Sequence, residues 1–148
     1  MPSPYRPHAI AYAIGGMRTV RSSPEGAQPP ETCPRTAERA RDVARSFLSR
    51  LRPRRPDQEQ AVLLVVSELV TNAIQHAGGV TGFALRAEEG RVTVTVDDAS
   101  PSPPYRRRSP VWAPGGFGWP MVLELSAQVR VEPGTRGKAV RAVLPLAH

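Results

Sequence analysis

The sequence predicts an α+β fold in which helices cover one face of an antiparallel or mixed β-sheet. The first observation behind this prediction is a change of hydrophobic period, from helical spacing before residue 78 to strict alternation after residue 80. The second is the predicted order of elements, which is one strand, two helices, a hairpin, a helix and a second hairpin. The chain has 148 residues, enough for one domain with a substantial core.

The N-terminal region is predicted to form a strand and a flexible loop. The short apolar run 9–14 (AIAYAI) suits an edge strand, whereas residues 15–32 contain paired glycines and three prolines. We therefore predict two parts, an N-terminal strand and loop over 1–32 and one folded domain over 33–148.

Two helices are predicted next. Apolar residues within 34–51 recur at three- and four-residue steps and define one face: Ala37, Ala40, Ala44, Phe47, Leu48 and Leu51. The prolines of RPRRP (52–56) must end this helix, because proline cannot continue it. The second helix is predicted over 58–77, with Asp57 as N-cap, Gln60 in a capping box and Gly78-Gly79 as the stop.

After residue 80, alternating apolar and polar side chains predict strands, with one loop and one short helix between them. Residues 80–86 and 91–97 carry alternating apolar side chains around a predicted turn and form a hairpin. A proline-rich stretch predicts a long loop over 99–115, and a short helix follows near 119–127. Two final strands are predicted over 128–132 and 138–145, joined by a Pro-Gly turn.

Composition and charge exclude several classes of function. The formal charge is 20 − 13 = +7, and the basic excess lies mainly in residues 1–60 without an aromatic stacking platform, so we expect no direct nucleic-acid binding. The single cysteine, Cys33, excludes an internal disulfide framework, and three scattered histidines argue against a histidine-based metal site. No apolar run approaches the about 20 residues that a membrane span needs. We therefore expect a cytoplasmic protein that does not contact membranes.

The helix in 61–79 carries polar side chains where its composition predicts burial. The helix carries apolar side chains of its own on nearly all sides, yet Glu68 and Asn72 lie one turn apart on a single face. A carboxylate buried without a partner is costly. The pair therefore faces a cavity, an ion or a ligand, or it caps a loop or pairs with an arginine. The residues alone leave these alternatives open.

Two downstream motifs add to this signal. VDDASP (96–101) ends a strand in two carboxylates followed by a turn, and GGFGW (115–119) opens a predicted helix. Glycines let a backbone approach a ligand closely, and free N–H groups at a helix start favour phosphate. Each motif alone also suits an ordinary turn, and neither forms a dinucleotide fingerprint or a P-loop.

The order of these motifs resembles the GHKL (Bergerat) ATPases, which include histidine kinases, gyrase-type topoisomerases, heat-shock chaperones and MutL-type repair proteins. ELVTNAIQHAGG (68–79) resembles the N-box of the small anti-sigma-factor serine/threonine kinases and of short actinobacterial ATP-binding proteins. VDDASPSPP (96–104) and GGFGWPMVLELS (115–126) resemble their two glycine boxes, and GKAVRAVLP (137–145) resembles their closing strand. The resemblance covers about residues 34–145. It implies a two-layer α/β sandwich with a mixed, mostly antiparallel sheet and helices on one face.

The resemblance also implies a role for each matching residue. Asn72 would bind Mg2+, Glu68 would be the catalytic base, and Asp98 would accept the amino proton of adenine, with Asp97 pointing to the other face. The other nucleotide-binding positions that it implies are Ser100, Gly116, Gly118 and Lys138. The loop 101–115 would be an ATP lid, in which Arg106, Arg107 and Arg108 face either the triphosphate or solvent.

These implied roles predict an ATP- and Mg2+-dependent protein serine/threonine kinase of anti-sigma-factor type. Such a protein would bind a sigma factor, phosphorylate an anti-anti-sigma (STAS-type) protein and so regulate transcription, and a homodimer is possible. The alternative is a nucleotide-binding or degenerate module that acts only by sequestering a protein partner. Trp119, Pro120 and Ala139 motivate this alternative, because they depart from the boxes of the family.

Overall fold

The computed structural model describes residues 11–14, 34–100 and 118–148. The helices and strands of these ranges are, in chain order, β1 (Ala11–Ile14), α1 (Ala37–Leu51), α2 (Pro56–His76), β2 (Val80–Glu88), β3 (Arg91–Asp98), α3 (Gly118–Leu125), β4 (Gln128–Pro133) and β5 (Lys138–Pro145). The predicted order of elements is therefore confirmed, with boundaries that differ from the predicted ones by a few residues.

The strands form one sheet in the order β1-β2-β3-β5-β4. Each pairing between described strands is antiparallel, and the short β1 lies at the sheet edge, as the run 9–14 predicts. β3 lies between β2 and β5, and its register with β5 sets Asp98 opposite Lys138. Two residues that are distant in sequence thereby meet at one end of the central strand pair.

The helix starts follow local capping chemistry. Thr36 caps α1, and its hydroxyl oxygen accepts a hydrogen bond from the Arg39 N–H at 3.1 Å. The predicted Asp57 cap of α2, with Gln60 in a capping box, is wrong: the N-cap is Arg55, and Asp57 lies within the first turn. The reason is Pro56, because a proline with fixed φ and no N–H suits the first helical position.

The helix ends lie where the sequence predicts them. α1 ends before the proline-rich linker, with Arg52 in the left-handed conformation at φ 53°. α2 ends at His76, shortly before Gly78 and Gly79, whose φ values of 75° and 111° L side chains rarely adopt. The Gly79 N–H donates to the Ala73 carbonyl at 2.9 Å, which satisfies one terminal carbonyl of the helix.

The core lies between the helices and one face of the sheet. α2 contacts β2, β3 and β5 as well as α1 and α3, so it is the central helix of its layer. The largest fully buried side chains come from both layers: Phe47, Leu48, Val62, Val65, Val66, Val70, Leu85, Val92, Val94, Val96, Leu144 and Leu146. α2 therefore packs against the core along one broad face, whereas Leu64 (44%) and Ile74 (39%) are exposed, so the burial predicted on nearly all sides is confirmed only in part.

Several sequence predictions fall outside the described residues. They are the loop 15–32, the lid 101–115 with Arg106–Arg108, and Gly116. The division of the chain after residue 32 also stays a prediction. Within the described ranges, no helix combines the length and apolar character that crossing a bilayer requires.

Candidate functional site

One group of predicted site residues lies where α3 begins against α2. Gly118 is the first residue of α3 and is buried. A Cβ placed on it would collide with Oε2 of Glu68 and would lie 3.7 Å from Oδ1 of Asn72. The structure thus brings Glu68, Asn72 and Gly118 together, and we call these three residues the α2 group.

Glu68 carries the least satisfied polar atom of the α2 group. Its Oε2 is buried and has no hydrogen-bond partner among the described residues. Burial raises the pKa of this carboxyl above its usual value of 4.5, because desolvation disfavours the charged form. The loop-capping and arginine-pairing alternatives therefore do not account for this oxygen within the described chain, whereas a proton, a cation or a ligand donor would satisfy it.

A second group lies at the end of β3 and the start of β5. The Lys138 ammonium contacts both carboxylate oxygens of Asp98, at 3.0 Å to Oδ1 and 2.8 Å to Oδ2. It also donates to the Ser100 carbonyl at 3.1 Å, and the Ser100 N–H donates to Asp98 Oδ1 at 2.9 Å. We call Asp98, Ser100 and Lys138 the β3 group. Asp98 shares the buried face of its strand with the core valines, whereas Asp97 is on the opposite face, as predicted.

Backbone contacts join the ends of the elements that carry the two groups. The Ala99 N–H donates to the Ala77 carbonyl at 3.2 Å, which ties the turn after β3 to the end of α2. Gly137 packs closely against the same turn, since a Cβ on it would collide with the Asp98 carbonyl oxygen. The helix that carries Glu68 and Asn72 and the strand that carries Asp98 are therefore fixed relative to each other.

The residues of the α2 group fit a hard divalent cation. Mg2+ prefers oxygen ligands and binds through one or two protein groups together with phosphate oxygens and water. Asn72 supplies an amide oxygen as a ligand, and the Glu68 carboxylate beside it, one oxygen of which lacks a partner in the described chain, supplies negative charge near the cation. Gly118, with no side chain of its own, leaves the backbone of the α3 N-terminus close to both groups.

The ion pair of the β3 group is the feature that the sequence reasoning missed. Asp98 and Lys138 were each predicted to contact nucleotide, but no prediction paired them with each other. One available signal is that Lys138 is the single lysine of the chain and begins a strand. The pairing itself depends on the β3–β5 register, which local patterns do not determine.

A family model identifies the class of this domain. The model of the histidine kinase-like ATPase domain matches residues 31–144. Because this match spans most of the chain, the protein belongs to the histidine kinase-like ATPase domain family. This assignment confirms the resemblance inferred from the motifs, and the two-layer α+β architecture of the family is the one observed.

A solved structure shows the same fold. The crystal structure of the RsbU and RsbW domains of Rv1364c from Mycobacterium tuberculosis matches with a TM-score of 0.54 and 19% sequence identity. The match covers 76% of this chain but 29% of the other, so this chain spans under a third of that protein. At this identity the likeness establishes the fold. No curated protein sequence matches the chain.

Two glycine substitutions are expected to have different effects on stability. Gly118→Ala directs its Cβ at the end of the flexible Glu68 side chain, which can swing aside, so the loss should stay below about 1 kcal/mol. Gly137→Ala directs its Cβ at a backbone carbonyl and also requires an alanine at φ 156°, so the loss should reach about 2–3 kcal/mol.

Urea unfolding of both variants measures this difference. Gly134→Ala is the matched control, because its Cβ would lie at an ordinary 3.5 Å from the nearest atom. Equal losses for Gly118→Ala and Gly137→Ala would contradict the placement of these two close contacts.

Proposed function

We propose that this protein is an ATP- and Mg2+-dependent protein serine/threonine kinase of the anti-sigma-factor type. The observation that carries the proposal is the α2 group, in which a buried carboxylate oxygen without a described partner lies beside an amide oxygen and a glycine helix start. Membership in the histidine kinase-like ATPase domain family supports ATP as the ligand.

Asn72 is the proposed Mg2+ ligand. Its amide oxygen is a neutral, hard donor on a helix whose neighbouring turns are buried in the core. When bound, Mg2+ supplies charge neutralisation for the phosphates, which is the main requirement of phosphoryl transfer. The role of Asn72 is to hold that charge at a fixed position on α2.

Glu68 is the proposed general base. In the transfer, the hydroxyl oxygen of a protein serine or threonine bonds to the γ-phosphorus, and the bond between that phosphorus and the β–γ bridging oxygen breaks to release ADP. Glu68 takes the hydroxyl proton. Its raised pKa suits this task, because a more basic carboxylate accepts a proton more readily.

The β3 group is the proposed base-binding end of the site. Asp98 lies on the buried face of β3, and its carboxylate is the proposed acceptor for a purine amino group. Ser100 and Lys138 surround this carboxylate. Gly118 and the α3 start are the proposed phosphate end, and Gly116 belongs to the same box of the sequence.

The proposed partners are a sigma factor, which the protein sequesters, and a STAS-type anti-anti-sigma protein, which it phosphorylates. Such a protein would act in transcription regulation in the cytoplasm. The resemblance of residues 68–79 to the N-box of anti-sigma-factor kinases supports these partners. The likeness to a structure that contains an RsbW domain supports the fold on which they depend.

A phosphotransfer assay with γ-labelled ATP tests the proposal. The purified protein is incubated with each STAS-type protein of its genome, with and without Mg2+, and partner capture is measured in parallel. The expected result is Mg2+-dependent label on a serine or threonine of one STAS-type protein. Capture of a partner without transfer to any of them would instead support the sequestering module that Trp119, Pro120 and Ala139 motivate.

A further inference from the structure

We propose that Lys138 is a positioning residue for nucleobase recognition. It fixes the Asp98 carboxylate so that this group accepts a single N–H, the one supplied by the 6-amino group of adenine. The inference rests on the proposed ATP binding and deepens it, because it explains how this chain selects the base.

The contacts of the ammonium assign this indirect role. A lysine ammonium has three N–H donors. The Lys138 ammonium donates to Asp98 Oδ1 (3.0 Å) and to the Ser100 carbonyl (3.1 Å), and it lies 2.8 Å from Asp98 Oδ2 as an ion-pair contact. Because the Lys138 side chain is 4% exposed and its ammonium is held against Asp98 and Ser100, we assign it an effect on a base through Asp98 and not by direct contact.

The acceptor capacity of Asp98 determines what it can bind. An ionised carboxylate offers about four lone-pair sites. Oδ1 receives both the Ser100 N–H and Lys138, whereas Oδ2 receives Lys138. One site on Oδ2 is therefore left without a partner among the described residues. One acceptor site matches one N–H of a purine 6-amino group, and a purine that lacks this group offers nothing to it.

Burial makes the arrangement rigid. The side chains of Asp98 and Lys138 are each 4% exposed, so water does not compete for these contacts. Removing one member of a buried ion pair leaves an uncompensated charge. Without Lys138, the Ser100 N–H would be the one contact left to the carboxylate among the described residues, at Oδ1, and the direction of Oδ2 would no longer be fixed.

Calorimetric titration with two nucleotides tests the inference. ATP and purine riboside 5′-triphosphate differ only in the 6-amino group, and both are titrated in the presence of Mg2+. The quantity compared is the ratio of the affinity for ATP to the affinity for purine riboside 5′-triphosphate. For the wild-type protein this ratio is expected to be roughly ten. In Lys138→Met this ratio should fall below about threefold. The control Arg141→Met removes a half-buried cation of the same strand, which pairs with Glu132 at 3.5 Å, and should keep the wild-type ratio.

A mutant cycle separates positioning from direct contact. Asp98→Asn should lower the ratio by itself, and adding Lys138→Met to it should lower the ratio no further. Circular dichroism melting verifies the fold of each variant. If Lys138→Met does not fold, Lys138→Arg takes its place. The planar guanidinium of the arginine cannot reproduce the three contacts of the ammonium, so the affinity ratio of this variant should fall at least about threefold.

The outcomes distinguish this inference from the proposed function. An unchanged ratio in a folded Lys138 variant, or no preference for ATP in a wild-type protein that does bind it, overturns the inference alone. A further loss in the double variant overturns it as well, because Lys138 would then contact the base itself. A wild-type protein that binds neither nucleotide overturns the proposed function, and the inference with it.

Discussion

Replacing Asn72 with alanine is expected to lower the affinity for ATP in the presence of Mg2+ by at least roughly tenfold, which is about 1.4 kcal/mol. The variant removes the amide oxygen that lies with Glu68 against the start of α3. The remaining carboxylate cannot hold the cation in the same position, and the phosphate charge would be less well neutralised. Calorimetric titration of the wild-type and variant proteins measures the difference.

A second polar residue of α2 provides the control for Asn72. Gln75 follows on the same helix and is exposed, so Gln75→Ala should leave both the fold and the ATP affinity unchanged. If Asn72→Ala binds ATP as tightly as Gln75→Ala does, Asn72 is not the metal ligand and its position next to Glu68 has another cause.

The second large effect is expected for Glu68→Gln. This substitution keeps the shape of the side chain but removes the group that accepts the hydroxyl proton. Phosphotransfer should fall by roughly 100- to 10,000-fold, the usual contribution of a general base. ATP affinity should change little, because Asn72 and the β3 group remain in place. A labelled-ATP assay and a titration, performed on the same preparation, separate the two effects.

The same variant should also be slightly more stable at neutral pH, because it removes a charge whose burial is unfavourable. Burial raises the pKa of Glu68 in the folded protein, so the folded state binds this proton more tightly than the unfolded state does. The wild-type protein therefore loses stability as the pH rises from the ordinary glutamate range through the raised pKa of Glu68. Glu68→Gln lacks this dependence, and its advantage should be smallest in acid and should grow toward neutral pH.

Urea unfolding at several pH values tests the stability effect. Glu124→Gln removes an exposed carboxylate from α3 and serves as the control, with no expected gain. A Glu68→Gln protein that is less stable than the wild type at neutral pH would show that Glu68 has a stabilising partner. The interpretation of its buried oxygen as a functional group would then be wrong.

The α2 group shows how far sequence can predict a site. Glu68 and Asn72 lie one helical turn apart, so their shared face follows from the 3.6-residue period alone. The apolar residues around them predict burial, which is what makes a carboxylate informative there. The contact of Gly118 with this face depends on how α3 packs on α2. A motif resemblance predicts that Gly118 belongs to the site, but the contact itself requires the tertiary structure.

The β3 group and the start of α2 show where the sequence reasoning fails. Asp98 and Lys138 are 40 residues apart, and only the strand register brings them into an ion pair. Asp57 is a favourable N-cap residue by type, yet Pro56 directly before it starts the helix and moves Asp57 into the first turn. In the first case a long-range pairing is decisive, and in the second a neighbouring backbone constraint outweighs a side-chain preference.

The central claim is that Glu68 and Asn72 face a nucleotide bound with Mg2+. Titration of the wild-type protein with ATP, with Mg2+ present and then with the cation removed by a chelator, tests it most directly. The account predicts a saturable isotherm with Mg2+ and at least roughly tenfold weaker binding without it. Equal affinity under both conditions, or no binding under either, would contradict it.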